Sequence, residues 1–291
     1  MDVLKQILPI LFPLSLALLV MTMGMASASG DLLYVLRRPK LLLRALLAID
    51  IVPPLAAILI LSLFTEVPHA ARAGIMLMAI SPLPPIVPGK ALKFGGEQKY
   101  VYGLQFVMAL FAIVTVPLWG LALDAIFGAE AQFPVAVVAR NVFIGVILPL
   151  AVGILLGRWL APELAHRIAP IMAKLVLLLV VIAFIPILIG FWPRMMALIG
   201  DGTVLAIAGV IIIAIGVAHL LGPTDQGNKA TLVFSAATRH PGIALALAGA
   251  NHANPSVAAA VLLFMLVGLL VVTPYQFYTK GVLARTATAP S

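Results

Sequence analysis

Long apolar segments recur along the whole chain, and they constrain its fold more than any single motif does. A helix needs about 20 mostly apolar residues to cross the hydrocarbon core of a bilayer, and nine stretches of the chain meet this requirement. The sequence therefore predicts an all-α membrane protein. The predicted spans are about 5–28, 41–64, 71–94, 99–127, 134–160, 169–192, 203–222, 228–250 and 255–279.

The composition agrees with a bilayer environment. The chain is 63% hydrophobic and 10% charged, whereas a soluble domain is about 45–50% apolar and about 25% charged. It has no cysteine, which excludes disulfides, thiolate metal sites and a cysteine nucleophile. The net charge is +8, but the basic residues lie in short loops without interleaved aromatic residues. We therefore expect a cell-membrane protein whose partner is the lipid bilayer, and no binding of nucleic acid.

The basic loops also predict the orientation of the chain. Cytoplasmic loops of membrane proteins carry an excess of Lys and Arg. With the N-terminus outside, thirteen of these residues lie on the cytoplasmic side and four on the outer side. We therefore expect an outer N-terminus and a cytoplasmic C-terminus, which an odd number of spans requires.

Two of the predicted spans contain residues that break helices, at 81–89 (SPLPPIVPG) and at 239–242 (RHPG). Proline lacks an amide hydrogen and disfavours helix in the residue before it. In a membrane, such a break survives only inside protein or beside a cavity. The helix-breaking residues are Pro82, Pro84, Pro85, Pro88 and Gly89 in the first segment, and Pro241 and Gly242 in the second.

The two breaks occupy related places in the order of the spans. One lies in the third span and the other in the eighth, so the first four spans correspond in order to the last four. The fifth span is an extra helix between the two units. An odd number of helices between the units gives them opposite orientations in the membrane. Inverted repeats with paired broken helices are typical of secondary transporters whose substrate site lies near the middle of the membrane.

Two charged residues lie deep within predicted spans. Arg239 follows Lys229 by ten residues, or about 15 Å of helix, and Asp50 follows Arg44 by six, or about 9 Å. Charges at this depth are costly and mark functional sites by default. Arg239 and Asp50 either form a structural ion pair, or Arg239 acts on the substrate or in coupling. We expect the two side chains to be in direct or one-water contact.

Three stretches resemble the bile acid:sodium symporter family, and the resemblance extends over nearly the whole chain. They are LLVMTMGMASASGDLLYVLRRPK at 18–40, AGIMLMAISPLPPIVPGKALKFGG at 73–96 and LGPTDQGNKATLVFSAATRHPGIALALAGANHANP at 221–255. The resemblance implies a single transmembrane transporter domain over 1–291, with an inverted repeat and two broken helices that cross near mid-membrane.

The same resemblance implies a division of this domain into two parts. A panel part contains the spans at about 5–28, 134–160 and 169–192. A core part contains the spans within about 41–127 and 203–279, and both broken helices belong to it.

The sequence departs from the family where the family binds sodium. The glycines and the Ser-Asn pair that are typical of the first break are missing. At the second break, Ser235 stands at the position of a Glu, and Arg239 and His240 stand at those of Gln and Asn. Arg239 also places a fixed cation where the ion would lie. These departures argue against sodium coupling and leave His240 as a candidate proton carrier; no other cofactor is implied.

The predicted function is secondary transport of a small or amphipathic organic anion by alternating access, with the site between the two broken helices. The alternatives are a channel or a membrane sensor without transport and, with less support, an intramembrane hydrolase. The sequence does not distinguish a monomer from an oligomer. The residues expected at the substrate and translocation site are Asp50, Gln105, Ser235, Thr238, Arg239 and His240.

Overall fold

The described part of the chain is helical. A computed structural model describes residues 2–127 and 135–288, and it contains no strand within them, so the prediction of an all-α protein is confirmed. The predicted start of one span at residue 134 lies outside the described residues. The helices are α1 (Asp2–Ala26), α2 (Pro39–Leu63), α3 (His69–Ile80), α4 (Val87–Lys93), α5 (Gln98–Phe127), α6 (Val135–Leu160), α7 (Pro162–Met196), α8 (Thr203–Leu221), α9 (Gln226–Ala237), α10 (Pro241–Ala250) and α11 (Pro255–Thr288).

Six helices within the described residues are long and apolar enough to cross a membrane. They are Pro39–Leu63, Gln98–Leu123, Val135–Leu160, Pro162–Met196, Thr203–Leu221 and Pro255–Arg285. Two shorter apolar helices lie at Leu11–Ala26 and His69–Ile80. The chain is therefore a multi-pass membrane protein. The count of nine spans and the inverted repeat stay predictions.

Helix α2 contains one turn of wider, π-type geometry at Leu47–Ile51, just before Pro53 and Pro54. Neither proline has an amide hydrogen, so the carbonyl groups of Ile49 and Asp50, four residues earlier, lose the donors that a regular helix would supply. In lipid, every backbone polar group needs a partner. Two carbonyl groups inside α2 must therefore be satisfied by side chains from other helices.

Regular helix stops and restarts at the two proline-containing segments. Helix α3 ends at Ile80 and α4 begins at Val87, while α9 ends at Ala237 and α10 begins at Pro241. Pro88 and Pro241 both occupy the first turn of the new helix, where an amide hydrogen has no partner within the helix. The prolines therefore start α4 and α10 at no cost in hydrogen bonds. We call the two non-helical segments, 81–86 and 238–240, the interruptions.

Several pairs of helices pack closely against each other. Helix α1 packs against α6 and α7, whereas α3 packs against α11, and α8 packs against α2 and α9. Glycines permit the closest approaches: a Cβ atom added at Gly153 of α6 would clash with the Met21 carbonyl of α1, and one at Gly74 of α3 would clash with Ala260 of α11. Such small-residue contacts are typical of helix pairs in membranes. The division into panel and core parts stays a prediction.

Candidate functional site

The two interruptions touch each other. The main-chain N–H of His240 donates to the carbonyl oxygen of Pro82 across 3.0 Å. Gln105, which is fully buried in α5, donates from Nε2 to the next carbonyl oxygen, that of Leu83, at 3.3 Å. The loop between α3 and α4 is thus held from two sides, by the main chain of the other interruption and by a side chain of α5.

Arg239, in the second interruption, joins two helices at this contact. Its side chain is only 3% exposed. Within α3, Nε donates to Met78 O at 3.3 Å and Nη2 donates to Ala79 O at 2.7 Å. In α2, the carbonyl oxygen of Ile49 accepts from Nη1 at 2.8 Å. The last carbonyl groups of a helix lack partners within it and carry partial negative charge, which favours a cation. Arg239 therefore caps α3 and satisfies the carbonyl group that Pro53 leaves free in α2.

Asp50 lies next to Arg239, but the two do not form a direct ion pair. The one ion pair within 4.0 Å among the described residues joins Lys99 to Glu97, so of the two expected arrangements, direct or one-water contact, the direct one is absent. The physical reason is that the guanidinium donates to main-chain carbonyl groups instead of to the carboxylate. The two side chains remain close enough to interact electrostatically, and contact through one water stays a prediction.

The main-chain oxygen of Asp50 accepts a hydrogen bond, whereas one oxygen of its carboxyl group has no partner. The Nε1 group of Trp119 in α5 donates to the main-chain oxygen of Asp50 at 2.7 Å, which satisfies the carbonyl group that Pro54 leaves free. The side chain is 5% exposed, and its Oδ2 atom has no hydrogen-bond partner. The Thr115 hydroxyl lies beside the carboxyl group. Sequence reasoning missed Thr115 and Trp119, although Pro53 and Pro54 signal that α2 needs outside donors.

We expect Trp119→Phe to lower the free energy of unfolding by about 1–3 kcal/mol, the usual cost of leaving one buried polar group without its partner. The Asp50 carbonyl group would lose its donor, and Pro54 cannot replace it. Thermal unfolding in detergent measures the effect. Trp159→Phe is the matched control, because Trp159 is 75% exposed. Equal losses in the two variants would contradict the role of the Trp119 hydrogen bond.

The side chains of two other expected site residues make only local bonds. Ser235 is buried, and its hydroxyl donates to Thr231 O within α9 at 2.7 Å. The Nδ1 atom of His240 accepts from the N–H of Ile243 at 3.4 Å and so caps the start of α10. His240 thus caps α10 as an acceptor, and its role as a proton carrier stays a prediction. Within the described residues no hydrogen bond joins Ser235 to His240, the pair that a hydrolase would need.

A small cavity of about 30 Å³ borders the second interruption. Thr238 and Arg239 line it, together with Lys90 of α4 and apolar residues of α11. A volume of this size holds one or two water molecules and is too small for an organic substrate.

A larger cavity of about 220 Å³ lies between helices α1 and α7 on one side and the first interruption with α4 and α5 on the other. Its wall is mostly apolar with a few polar groups, which is the usual make-up of a small-molecule site. Its lining residues are Leu19, Thr22, Met23, Ala26, Pro85, Pro88, Gly89, Leu92, Tyr102, His166, Ala169, Pro170 and Ala173.

This larger cavity separates the expected site residues into two sets. Pro85, Pro88 and Gly89, expected only as helix breakers, lie in its described wall. The six residues expected to bind the substrate are absent from that described wall. Sequence reasoning missed Tyr102 and His166, because they are isolated polar residues on two helices that only the packing brings together.

These features define a helical membrane protein with the make-up of a transporter: apolar spans, two interruptions in contact and a cavity beside one of them. The sequence model of the sodium bile acid symporter family matches residues 13–191. The chain belongs to this family, whose members are transporters, so the resemblance is confirmed. The match includes every residue that lines the larger cavity, and it ends before α9 and α10. No curated protein gives a match to the chain.

Proposed function

We propose that the protein is a secondary transporter for a small or amphipathic organic anion that works by alternating access. The observation that carries this proposal is the cavity of about 220 Å³ whose wall includes the first interruption. Non-helical backbone at membrane depth is tolerated where it lines a cavity, and transporters bind substrates at such places. Tyr102 and His166 supply O–H and N–H groups that could donate to an anion.

The proposal includes the architecture that the sequence predicted. Nine spans form an inverted repeat, with the N-terminus outside and the C-terminus in the cytoplasm. Helices α1, α6 and α7 act as the panel, and α2–α5 with α8–α11 act as the core. The cavity lies where the two parts meet, so a movement of one part against the other would expose it to alternate sides of the membrane. The contact between the interruptions transmits that movement and does not itself hold the substrate.

Uptake of radiolabelled organic acids into proteoliposomes tests the function. Saturable uptake with counterflow is expected. His166→Ala should raise the KM about tenfold, which corresponds to the loss of about 1.4 kcal/mol of binding. His69→Ala is the control, since His69 is exposed and lies outside the cavity wall. Large single-channel currents would favour a channel instead, and absence of uptake for every organic acid would contradict the transporter.

The second part of the proposal is independence from sodium. Main-chain carbonyl groups at an interruption are suitable ligands for a cation, but here those of Ile49, Met78 and Ala79 accept from Arg239. A second cation beside the guanidinium would be repelled in this poorly screened environment. Uptake should therefore stay unchanged when sodium is replaced by choline at constant ionic strength. A steep rise of uptake with sodium would show this part to be wrong.

A further inference from the structure

Asp50 is a buried acid whose carboxyl group has no role in the contact between the interruptions. Its side chain is 5% exposed, and Oδ2 has no hydrogen-bond partner. An ionised carboxylate is very costly to bury unless it is paired, whereas a neutral carboxyl group costs much less. The nearest cation, Arg239, donates to three carbonyl groups and not to the carboxyl group. This arrangement fits a neutral, protonated Asp50.

The surroundings of Asp50 leave Arg239 as its one charged neighbour. Helices α5, α8 and α9 pack around the π-type turn that carries Asp50. Helix α5 contributes Thr115 and Trp119, and the Arg239 guanidinium comes from the interruption that follows α9. Among the described residues, no other charged group interacts with the Asp50 carboxyl group. The ring of His240 is committed to the N–H of Ile243.

Arg239 has donors left for a further acceptor. Guanidinium has five N–H groups, and the three bonds described leave two of them unused. One of the three acceptors is the carbonyl oxygen of Ile49, the residue next to Asp50. An ionised carboxylate is a stronger acceptor for guanidinium than a neutral carbonyl group. If Asp50 lost its proton, Arg239 would turn towards it and release the carbonyl groups of Met78 and Ala79 at the end of α3.

We propose that Asp50 binds the coupling proton of the transporter, and that its protonation state selects between two positions of Arg239. In the protonated state, Arg239 caps α3 and ties it to α2 and to the second interruption. When Asp50 gives up its proton to water, Arg239 pairs with the carboxylate and the cap on α3 opens. One proton is taken up and released in each cycle, and no other bond is formed or broken. This inference rests on the proposed transport function.

Infrared spectroscopy tests the proton site without any transport assay. Protein in lipid is titrated upward from about pH 6, where exposed carboxyl groups are already ionised, and the carbonyl band of the carboxyl groups that are still protonated is recorded. We expect a band that disappears as pH rises in the parent protein and is absent from Asp50→Asn. Asp201→Asn is the matched control, because Asp201 is exposed and its substitution should leave the band in place. An unchanged band in Asp50→Asn would overturn the proposal.

Uptake driven by a pH gradient tests the coupling, with taurocholate as the test anion. Asp50→Asn imitates the protonated acid permanently, so it should lose accumulation driven by the pH gradient and keep equilibrative counterflow. Asp50→Glu retains an acid and should retain the infrared band, which keeps the test decisive if Asp50→Asn does not fold. Accumulation by Asp50→Asn equal to that of the parent would overturn the proposal. Absence of taurocholate uptake by the parent would count against the transport function alone, because the infrared result stands by itself.

Discussion

Replacing Arg239 with methionine is expected to lower the free energy of unfolding by about 3–5 kcal/mol, because buried carbonyl groups in two helices lose a charged donor at about 1–3 kcal/mol each. Methionine replaces the apolar stem of arginine and lacks the guanidinium, so the change removes the donors while it keeps much of the packing of the stem. A loss of this size is a large part of the stability of most proteins. The measurement is thermal unfolding of the purified protein in detergent, together with the yield of folded protein.

Two further variants locate the cause of this loss. Arg239→Lys keeps the positive charge but has a single nitrogen, which cannot reach α2 and α3 together, so an intermediate stability is expected. Arg194→Met removes an arginine from an exposed position and should have little effect on the free energy of unfolding. If Arg239→Met unfolds at the same temperature as the parent, the guanidinium does not hold the interruptions together.

Gly227→Ala is the second substitution for which a large effect is expected. The first turn of α9 rests against the main chain of Gly95 just after α4, and a Cβ atom at Gly227 would clash with the Gly95 carbonyl group. The neighbouring Asn228 fixes this approach, since its Oδ1 accepts from the N–H of Glu97 at 2.9 Å. Main chain cannot move aside as a flexible side chain can. We expect a loss of about 1–3 kcal/mol in the free energy of unfolding, the usual cost of overpacking.

The control for Gly227→Ala is Gly249→Ala. Gly249 lies in α10, and a Cβ atom there would meet no neighbouring atom within 4 Å. Alanine is a better helix former than glycine by about 0.5–1 kcal/mol, so this variant should be as stable as the parent or slightly more stable. The unfolding temperatures of the two variants should therefore move in different directions. A Gly227→Ala protein as stable as the Gly249→Ala protein would contradict the close main-chain contact.

The ends of the helices could be predicted from the sequence because prolines act locally. Pro82 and Pro241 each mark an interruption, and the structure ends or begins a helix within two residues of both. The burial of Arg239 was predictable for a similar reason, since it lies within a long apolar run. Hydropathy and proline chemistry need no knowledge of tertiary contacts, which is why these expectations agreed with the structure.

The main-chain partners of Arg239 were not predicted, because sequence reasoning paired its charge only with the opposite charge of Asp50. The sequence contains Pro53 and Pro54, which free acceptors in α2, but it does not show which donor reaches them. Trp119 and Arg239 divide these acceptors between them. The wall of the larger cavity could not be predicted for another reason. Tyr102 in α5 and His166 near the start of α7 are far apart in the sequence, and only the tertiary fold places both in the same cavity wall.

The hydrogen bond between Arg239 and Ile49 also determines when the protein can finish folding. Its two residues are 190 positions apart in the chain. At a synthesis rate of about 5–20 residues per second, the ribosome needs roughly 10–40 s to reach Arg239 after it has made Ile49. During that interval α2 lies in or near the membrane with an acceptor that its own chain cannot yet satisfy. The amino-terminal helices must therefore wait for the carboxyl-terminal third, and a nascent chain that stops before residue 239 would expose an incomplete α2 to cellular quality control.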